Sequence, residues 1–264
     1  MKILRIVVDP IINGRPLSRI YRANIEKLHE EVLKILSEIS DEHMYVNKTD
    51  EISFIPKKQD GYVYSSSEYL GVLNNKISPH MPDEVSYEEF INHFNLISRR
   101  NAGEFDEVHV WGAPFMGFYE SRMIGNKSIR CNSPPYRARC ENFIIMGFSY
   151  ERLVSEALEA FGHRTEDIVK KTYPRMYRVF EKCVGSIHKP FNTNKDYDWG
   201  NKTYTKCKAS MFPNYMFYTF SLSSEELNCN QWGCTGEEYL KWWFEHLPKY
   251  TWGTNLRVGS IGAK

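Results

Sequence analysis

The chain has 264 residues, a formal net charge of +1 and 42% hydrophobic residues. These values are ordinary for a globular protein, and they give no general electrostatic attraction to nucleic acid or to an anionic membrane. The sequence has no uninterrupted apolar run of the roughly 20 residues that a transmembrane helix needs, so no membrane span is expected. The length suits one large domain or two small ones.

The first residues lack the pattern of a secretory signal peptide. Their apolar run is short, is interrupted by Arg5, and ends at Asp9-Pro10. We therefore expect a cytoplasmic protein if this sequence is the whole chain, and a secreted protein if a leader was removed. The sequence leaves both compartments open.

A buried strand followed by an amphipathic helix opens the chain. Ile3–Val8 is a continuous apolar run, which is typical of a parallel strand that is buried on both faces. The helical spacing of apolar residues then predicts a helix over Arg22–Ile39. Short strands are predicted next, at Met44–Val46, Ile52–Ile55 and Gly61–Ser65. Ser86 and Glu89 have the spacing of a capping box at the start of another helix.

A second strong strand, Asp106–Trp111, runs into a loop rich in glycine and aromatic residues, Gly112–Arg122. In open α/β sheets, ligands bind beyond the carboxyl ends of the strands, so this loop is a candidate site. We predict Glu120 as a general base, with an ordinary ion pair to an arginine as the alternative. The other residues assigned here are Arg122 as catalytic, and Trp111 and Tyr119 as substrate contacts. The loop has neither a Gly-x-Gly-x-x-Gly pattern nor a P-loop, so a nucleotide cofactor is not indicated.

A long helix is predicted over Ser149–Lys171, directly after a short strand at Phe143–Phe148. Ser149 is expected to cap the helix at its N-terminus. Apolar residues share one face, and the opposite face carries three polar residues, Glu159, His163 and Glu166. Side chains three or four residues apart meet on a helix surface, so an imidazole and two carboxylates are expected to converge there.

Gly162 interrupts this helix pattern, because a glycine inside a helix costs about 1 kcal/mol relative to alanine. We expect it to allow another backbone segment, or a ligand, to come close beside His163.

The residues His163–Glu166 form a His-x-x-Glu sequence. It resembles the His-x-x-Glu of zinc carboxypeptidases, whose third ligand is a distant histidine. The resemblance covers four residues, and it departs from that family because the motif here lies inside a long amphipathic helix. Imidazole and carboxylate are common zinc ligands, so we predict zinc as the cofactor, with His163 and Glu166 as two ligands. The third is His188, which ends a short predicted strand at an exposed turn before Pro190. Glu159 is then a second candidate for the general base; the alternative is a plain solvated helix face.

The C-terminal part of the chain is rich in aromatic residues. Asp198 and Trp199 follow His188 closely and are assigned as substrate contacts, with a polar turn as the alternative. A strand is predicted over residues 211–220 and a helix over Glu237–His246.

Six cysteines begin at Cys131 and permit three disulfides in fifteen pairings. Two pairs are close enough in sequence to bridge locally, namely Cys131 with Cys140 and Cys229 with Cys234.

These elements predict an α/β fold with a mostly parallel central sheet flanked by helices and an irregular, aromatic-rich C-terminal half. We expect a single α/β domain over residues 1–264, with a subdivision into 1–148 and 149–264 as the alternative.

The leading functional hypothesis is a metal-dependent hydrolase, with zinc as the metal. The alternatives are a metal-free glycoside hydrolase, with Glu120 paired with Glu166 or Asp198, and a non-enzymatic carbohydrate- or protein-binding domain. A peptide or glycan is the expected substrate, nucleic acid is not an expected partner, and the sequence does not indicate the oligomeric state.

Overall fold

The computed structural model describes residues 1–212, 224–251 and 254–259. The chain divides into two compact units. Unit 1 contains residues 1–33 and 43–153, and unit 2 contains residues 34–42 and 154–264. The expectation of one α/β domain over the whole chain stays a prediction.

Unit 1 is built on a five-stranded sheet. Its strands are β1 (Lys2–Val8), β4 (Tyr45–Ile52), β5 (Glu107–Gly112), β6 (Ser121–Ile124) and β7 (Phe143–Ser149), and their order in the sheet is β4-β1-β5-β7-β6. Every pair is parallel except β6 with β7, which is antiparallel. With the helices given below, this sheet confirms the predicted α/β fold with a mostly parallel central sheet.

The central strands form the core because they carry apolar residues on both faces. Every residue of β5 is buried, as is every residue of β1 after Lys2. Helix α2 (Ile25–Ser40) begins in unit 1 and ends in the 34–42 segment of unit 2, and it buries the apolar stripe that its helical spacing predicts, including Val32, Leu36 and Ile39. The remaining elements of unit 1 are short: β2 (Ile11–Ile12), β3 (Arg15–Pro16), α1 (Leu17–Tyr21), α3 (Ser66–Leu73), α4 (Tyr87–His93) and α5 (Leu96–Asn101).

Three local predictions in unit 1 differ from the structure. The strand expected at Met44–Val46 is the start of a longer edge strand, β4, whereas only Ile52 of the strand expected at Ile52–Ile55 belongs to it. Gly61–Ser65 is not a strand, because Ser65 caps α3 in a reciprocal capping box with Glu68. Ser86 does cap α4, but the carboxylate of Glu89 forms an ion pair with Lys57 at 2.6 Å instead of completing the box.

Unit 2 is mainly helical. Its helices are α6 (Val154–Thr172), α7 (Pro174–Cys183) and α8 (Gly236–His246), and its strands pair as β8 (Thr205–Cys207) with β9 (Glu225–Leu227) and β10 (Tyr250–Thr251) with β11 (Thr254–Asn255). The expected helix Glu237–His246 is therefore confirmed. Most of the strand predicted over residues 211–220 lies outside the described residues.

The long helix begins later than predicted, and Ser149 does not cap it. Ser149 is the last residue of β7 and pairs with Gly112, and the next amide, that of Tyr150, donates to the carbonyl of Gly112 at 2.9 Å. The sheet thus satisfies the backbone through Tyr150, so the helix starts only at Val154.

One of the two local cysteine pairs is bridged. Cys229 and Cys234 form a disulfide immediately before α8, whereas Cys131 and Cys140 are both buried and form no disulfide. The prediction of a local bridge is thus confirmed for the first pair and wrong for the second.

None of the helices within the described residues combines the length and the apolar character needed to cross a membrane.

Candidate metal centre

Helix α6 carries two side chains of the site, Glu159 and His163. Its buried face holds the apolar residues that its periodicity predicts, including Leu158, Phe161 and Ile168. Glu159 and His163 lie one turn apart on the half-buried side of the same helix. Packing of the apolar face therefore fixes the direction in which this pair points.

A close approach beside Gly162 brings the third side chain, His188, to the helix. The buried Ile187 packs against Gly162 so tightly that a methyl group there would lie 2.4 Å from Ile187 Cδ1. The group that comes close to the helix beside His163 is therefore the side chain of Ile187. Because His188 is the next residue, this contact also brings His188 to the helix.

Helix α8 holds the segment that bears His188. The buried hydroxyl of Tyr239 donates to the carbonyl of Ser186 at 2.8 Å, and Trp243 Nε1 donates to the carbonyl of Gly185 at 3.1 Å. Burial, and after it the charge of Glu166, raise the pKa of Tyr239 well above its ordinary value, so this hydroxyl keeps its proton and remains a donor. The strand expected around His188 reduces to a single bridge between Gly185 and Pro190, because these side-chain bonds already satisfy the local carbonyls.

Three potential ligand atoms converge at one point of unit 2. The Nε2 atoms of His163 and His188 are 2.7 Å apart. Glu159 Oε1 lies 3.0 Å from His188 Nε2 and 3.8 Å from His163 Nε2. Two nitrogens and one carboxylate oxygen are a ligand set that a divalent transition metal accepts.

These separations are close to those in a zinc site. Ligand atoms at 2.0–2.1 Å from a tetrahedral zinc ion are roughly 3.3 Å from one another. The two imidazole nitrogens lie closer than that, at a hydrogen-bond distance, so one ring donates to the other without an ion. For an ion to bind, the two nitrogens must move apart by about 0.6 Å from their 2.7 Å distance, and the three side chains then leave a fourth position open.

Tyr197 lies against this cluster. Its hydroxyl donates to Glu159 Oε1 at 3.2 Å, its amide donates to the carbonyl of His188 at 2.7 Å, and its side chain is 56% exposed. The backbone of Tyr197 is left-handed, with φ of 60°, which is uncommon for a residue other than glycine. The phenol is therefore held next to the carboxylate by its neighbours rather than by its own backbone preference.

Glu166, predicted as a metal ligand, lies apart from the cluster. Its carboxylate accepts a hydrogen bond from Tyr177 and forms an ion pair with Lys170 at 3.1 Å. Burial, and after it the charge of Glu166, raise the pKa of Tyr177, so the phenol stays protonated and donates. The structure brings Glu159 to His163 and His188, and the predicted role of Glu166 stays a prediction without this geometric support.

Asp198 and Trp199, predicted as substrate contacts, have defined partners of their own. Asp198 accepts from Thr193 Oγ1 at 2.7 Å and from Asn201 Nδ2 at 2.8 Å, which is the bonding of a polar turn. These hydrogen bonds lower the pKa of Asp198, so its carboxyl group stays ionised. Trp199 stacks on Tyr239 with ring centres 4.7 Å apart.

The residues assigned in the loop after β5 belong to unit 1. The carboxylate of Glu120 accepts a hydrogen bond from Asn132. Arg122 forms an ion pair with Glu84 at 2.5 Å, and Tyr119 donates to the same carboxylate at 2.9 Å. Trp111 is buried inside β5. Glu120 and Arg122 thus each have a partner of their own, and their catalytic roles stay predictions.

The sequence indicates Glu159 as a candidate base, but it gives no sign of the roles of Tyr197 and of the positioning residue Tyr239. The spacing Glu159-x-x-x-His163 was itself a usable signal, since a separation of four residues places both side chains at one level of a helix. Neither tyrosine is adjacent in sequence to the residues it contacts, so their roles depend on tertiary structure.

Comparison with known proteins finds no family model, no curated protein and no solved structure that matches this chain.

Proposed function

We propose that the protein is a metal-dependent hydrolase whose ion, zinc, is held by Glu159, His163 and His188. The convergence of their three ligand atoms within 4.8 Å of one another carries the proposal. A set of three protein ligands with one open position is the arrangement of catalytic zinc sites, whereas structural sites use four protein ligands. In such a site the ion lowers the pKa of a water molecule toward about 7 and polarises the bond that the water attacks.

The residues of this chain then have separate roles. Glu159 serves as a ligand instead of the general base. The hydroxyl of Tyr197 donates its one proton to Glu159, and it would turn that proton toward a negative charge that develops beside the ion. The exposed Tyr197 ring provides an aromatic surface for a peptide or glycan substrate.

The experiment is elemental analysis of protein purified without a histidine tag, beside His163→Ala and the control His93→Ala. His93 is an exposed histidine of unit 1, so its loss should leave the metal content unchanged. We expect one zinc per chain in the wild type and in the control, and less than a tenth of that in His163→Ala. Added zinc at 100 times its Kd should raise the free energy of unfolding of the wild type by about 2.7 kcal/mol.

The proposal fails if no metal is present and added zinc leaves thermal stability unchanged. Stoichiometric iron would also overturn it, because two histidines and one carboxylate equally suit iron(II) and a different chemistry. Hydrolysis of peptide, ester or glycan probes that a chelator abolishes and zinc restores would support the enzymatic part.

A further inference from the structure

Unit 1 contains a cavity of about 230 Å³ at the carboxyl ends of β5 and β7. Its walls come from the last residues of both strands, from the loop that follows β5, and from the turn after β7. In open parallel sheets this edge is where ligands bind, because loops and backbone groups from neighbouring strands meet there. The cavity contains none of the metal-site residues, so it is a separate site.

The loop after β5 brings a run of hydrogen-bond donors to this cavity. Within the described part of the chain, the backbone amides of Phe115, Gly117 and Phe118 donate to no backbone carbonyl. Phe115 and Gly117 have left-handed backbones, with φ of 59° and 88°. Successive amides in a chain that alternates in this way form a concave nest that binds anions. A side chain at Gly117 would meet the amide of Val85 at 2.6 Å, so only glycine permits this loop path.

Two side chains add donors to the same cavity. The hydroxyl of Ser149 is buried and has no hydrogen-bond partner among the described residues. Burying a polar atom without a hydrogen-bond partner costs free energy, which indicates that a ligand or a water molecule forms a hydrogen bond with this hydroxyl. Arg152, which is exposed, also lines the cavity and can bring a cationic group to it.

The cavity also contains two carboxylates, each of which is already engaged. Asp83 forms an ion pair with the buried Lys58, whose ammonium group also donates to the carbonyl of Phe115 at 2.7 Å. Glu120 accepts from the amide of Asn132. With Lys58 and Arg152 counted against Asp83 and Glu120, the formal charges around the cavity cancel. The carboxylates retain lone pairs that can accept hydrogen bonds from hydroxyl groups.

We propose that this cavity binds a small hydroxylated phosphate, namely the phosphate monoester of a short polyol. The amides after β5, Ser149 and Arg152 hold the phosphate oxygens, and the engaged carboxylates accept from the hydroxyl groups. The loop has neither a Gly-x-Gly-x-x-Gly sequence nor a P-loop, so a dinucleotide is not indicated here. The site is independent of the metal centre and holds whether or not unit 2 binds zinc.

The test is isothermal titration with glycerol 3-phosphate, with glycerol as the neutral probe. All titrations contain a chelator, so that phosphate coordination to a metal does not contribute. We expect saturable one-to-one binding of glycerol 3-phosphate and none of glycerol. Ser149→Ala and Arg152→Gln should each weaken binding roughly tenfold, since each removes a hydrogen bond to a charged group.

Arg139→Gln is the matched control, because Arg139 is an exposed arginine of unit 1 that does not line the cavity. Its affinity should equal that of the wild type, and circular dichroism should show that all variants are folded. The proposal is overturned by any of three results: no binding at millimolar glycerol 3-phosphate, equal binding of glycerol, or wild-type affinity in both cavity variants. Equal weakening in Arg139→Gln would also overturn it, because binding would then reflect net charge alone.

Discussion

At the scale of single residues, Gly162 determines how closely the segment bearing His188 approaches helix α6. A glycine inside a helix is unfavourable, yet here a methyl group would lie 2.4 Å from Ile187 Cδ1 and 3.0 Å from its Cγ1. Ile187 is itself fully buried and has little room to move. The helix therefore gives up intrinsic stability in exchange for a contact that brings His188 to His163.

Gly162→Ala should retain helix content but lower zinc affinity by about tenfold, the equivalent of 1.4 kcal/mol and within the usual cost of overpacking a core. The displaced Ile187 would move His188 away from Glu159. Zinc titration measures the effect, and the double variant Gly162→Ala/Ile187→Ala should recover part of the affinity. Unchanged zinc affinity in Gly162→Ala would show that the contact does not position His188.

A second residue-scale feature is a buried chain of three titratable groups in unit 1. Glu107 Oε1 lies 2.9 Å from His109 Nε2, and His109 Nδ1 lies 2.8 Å from His29 Nε2. If His109 Nε2 donates to Glu107, His109 Nδ1 accepts a hydrogen bond from His29 Nε2. In neutral His29, Nδ1 then carries no proton and is an acceptor. That atom is buried without a partner among the described residues. Burial, then His109 and Arg5, lower the pKa of His29 well below its ordinary value.

The pH dependence of stability follows from the sign of this shift. A histidine with a depressed pKa in the folded state binds its proton more readily when unfolded, so stability is complete above about pH 6.5 and declines as the pH falls below it. The expected decline from His29 is about 1.4 kcal/mol per pH unit. Urea unfolding from pH 7.5 to 5.0 measures it. His29→Gln keeps an N–H donor but does not titrate, so it should reduce the slope of the unfolding free energy against pH by about 1.4 kcal/mol per pH unit, the value for one proton. An unchanged slope would show that His29 is not the group responsible.

At the scale of elements, helix α8 supports the segment that bears His188 in the candidate metal centre. Its Tyr239 hydroxyl lies within 3.3 Å of three carbonyl oxygens, those of Val184, Ser186 and Lys189. A disulfide between Cys229 and Cys234 and an N-cap at Thr235 define where this helix begins. The segment bearing His188 is thus irregular in backbone and yet fixed by a neighbouring helix.

Tyr239→Phe should destabilise the protein by about 1–3 kcal/mol, because buried carbonyls lose their donor. It should also weaken zinc binding, since the segment that carries His188 is released. The control is Tyr204→Phe, at a tyrosine of unit 2 that is 63% exposed, where no such loss is expected. Equal effects in both variants, in urea unfolding and zinc titration, would exclude a specific supporting role for Tyr239.

At the scale of the whole molecule, the two candidate sites lie in different units of the chain. In unit 1, the chain passes from β1 to β4 on one side and then to β5 on the other, which aligns the carboxyl ends of parallel strands. The cavity lies at that edge. In unit 2, the candidate metal centre lies on the half-buried side of a long helix and not at the edge of a sheet.

The sequence by itself determined those features whose cause is local. Apolar runs and helical periodicity were sufficient for β1, β5, β7, α2 and α8, and hence for the α/β class, because burial of a strand or a helix face depends on the order of residues along it. The same reasoning named His163 and His188 as a pair, one from a helix face and the other from an exposed turn.

Only the tertiary structure decided the features that depend on partners distant in sequence. Ser149 belongs to the sheet because the edge of β5 satisfies its backbone, and that edge is not visible in local spacing. Glu159 joins the two histidines, while Glu166 turns to Tyr177, because packing at Gly162 fixes where His188 lies. Hydrogen bonds and close contacts act over a few ångströms in space. Which of two chemically similar side chains forms a given contact is therefore determined only when the chain has folded.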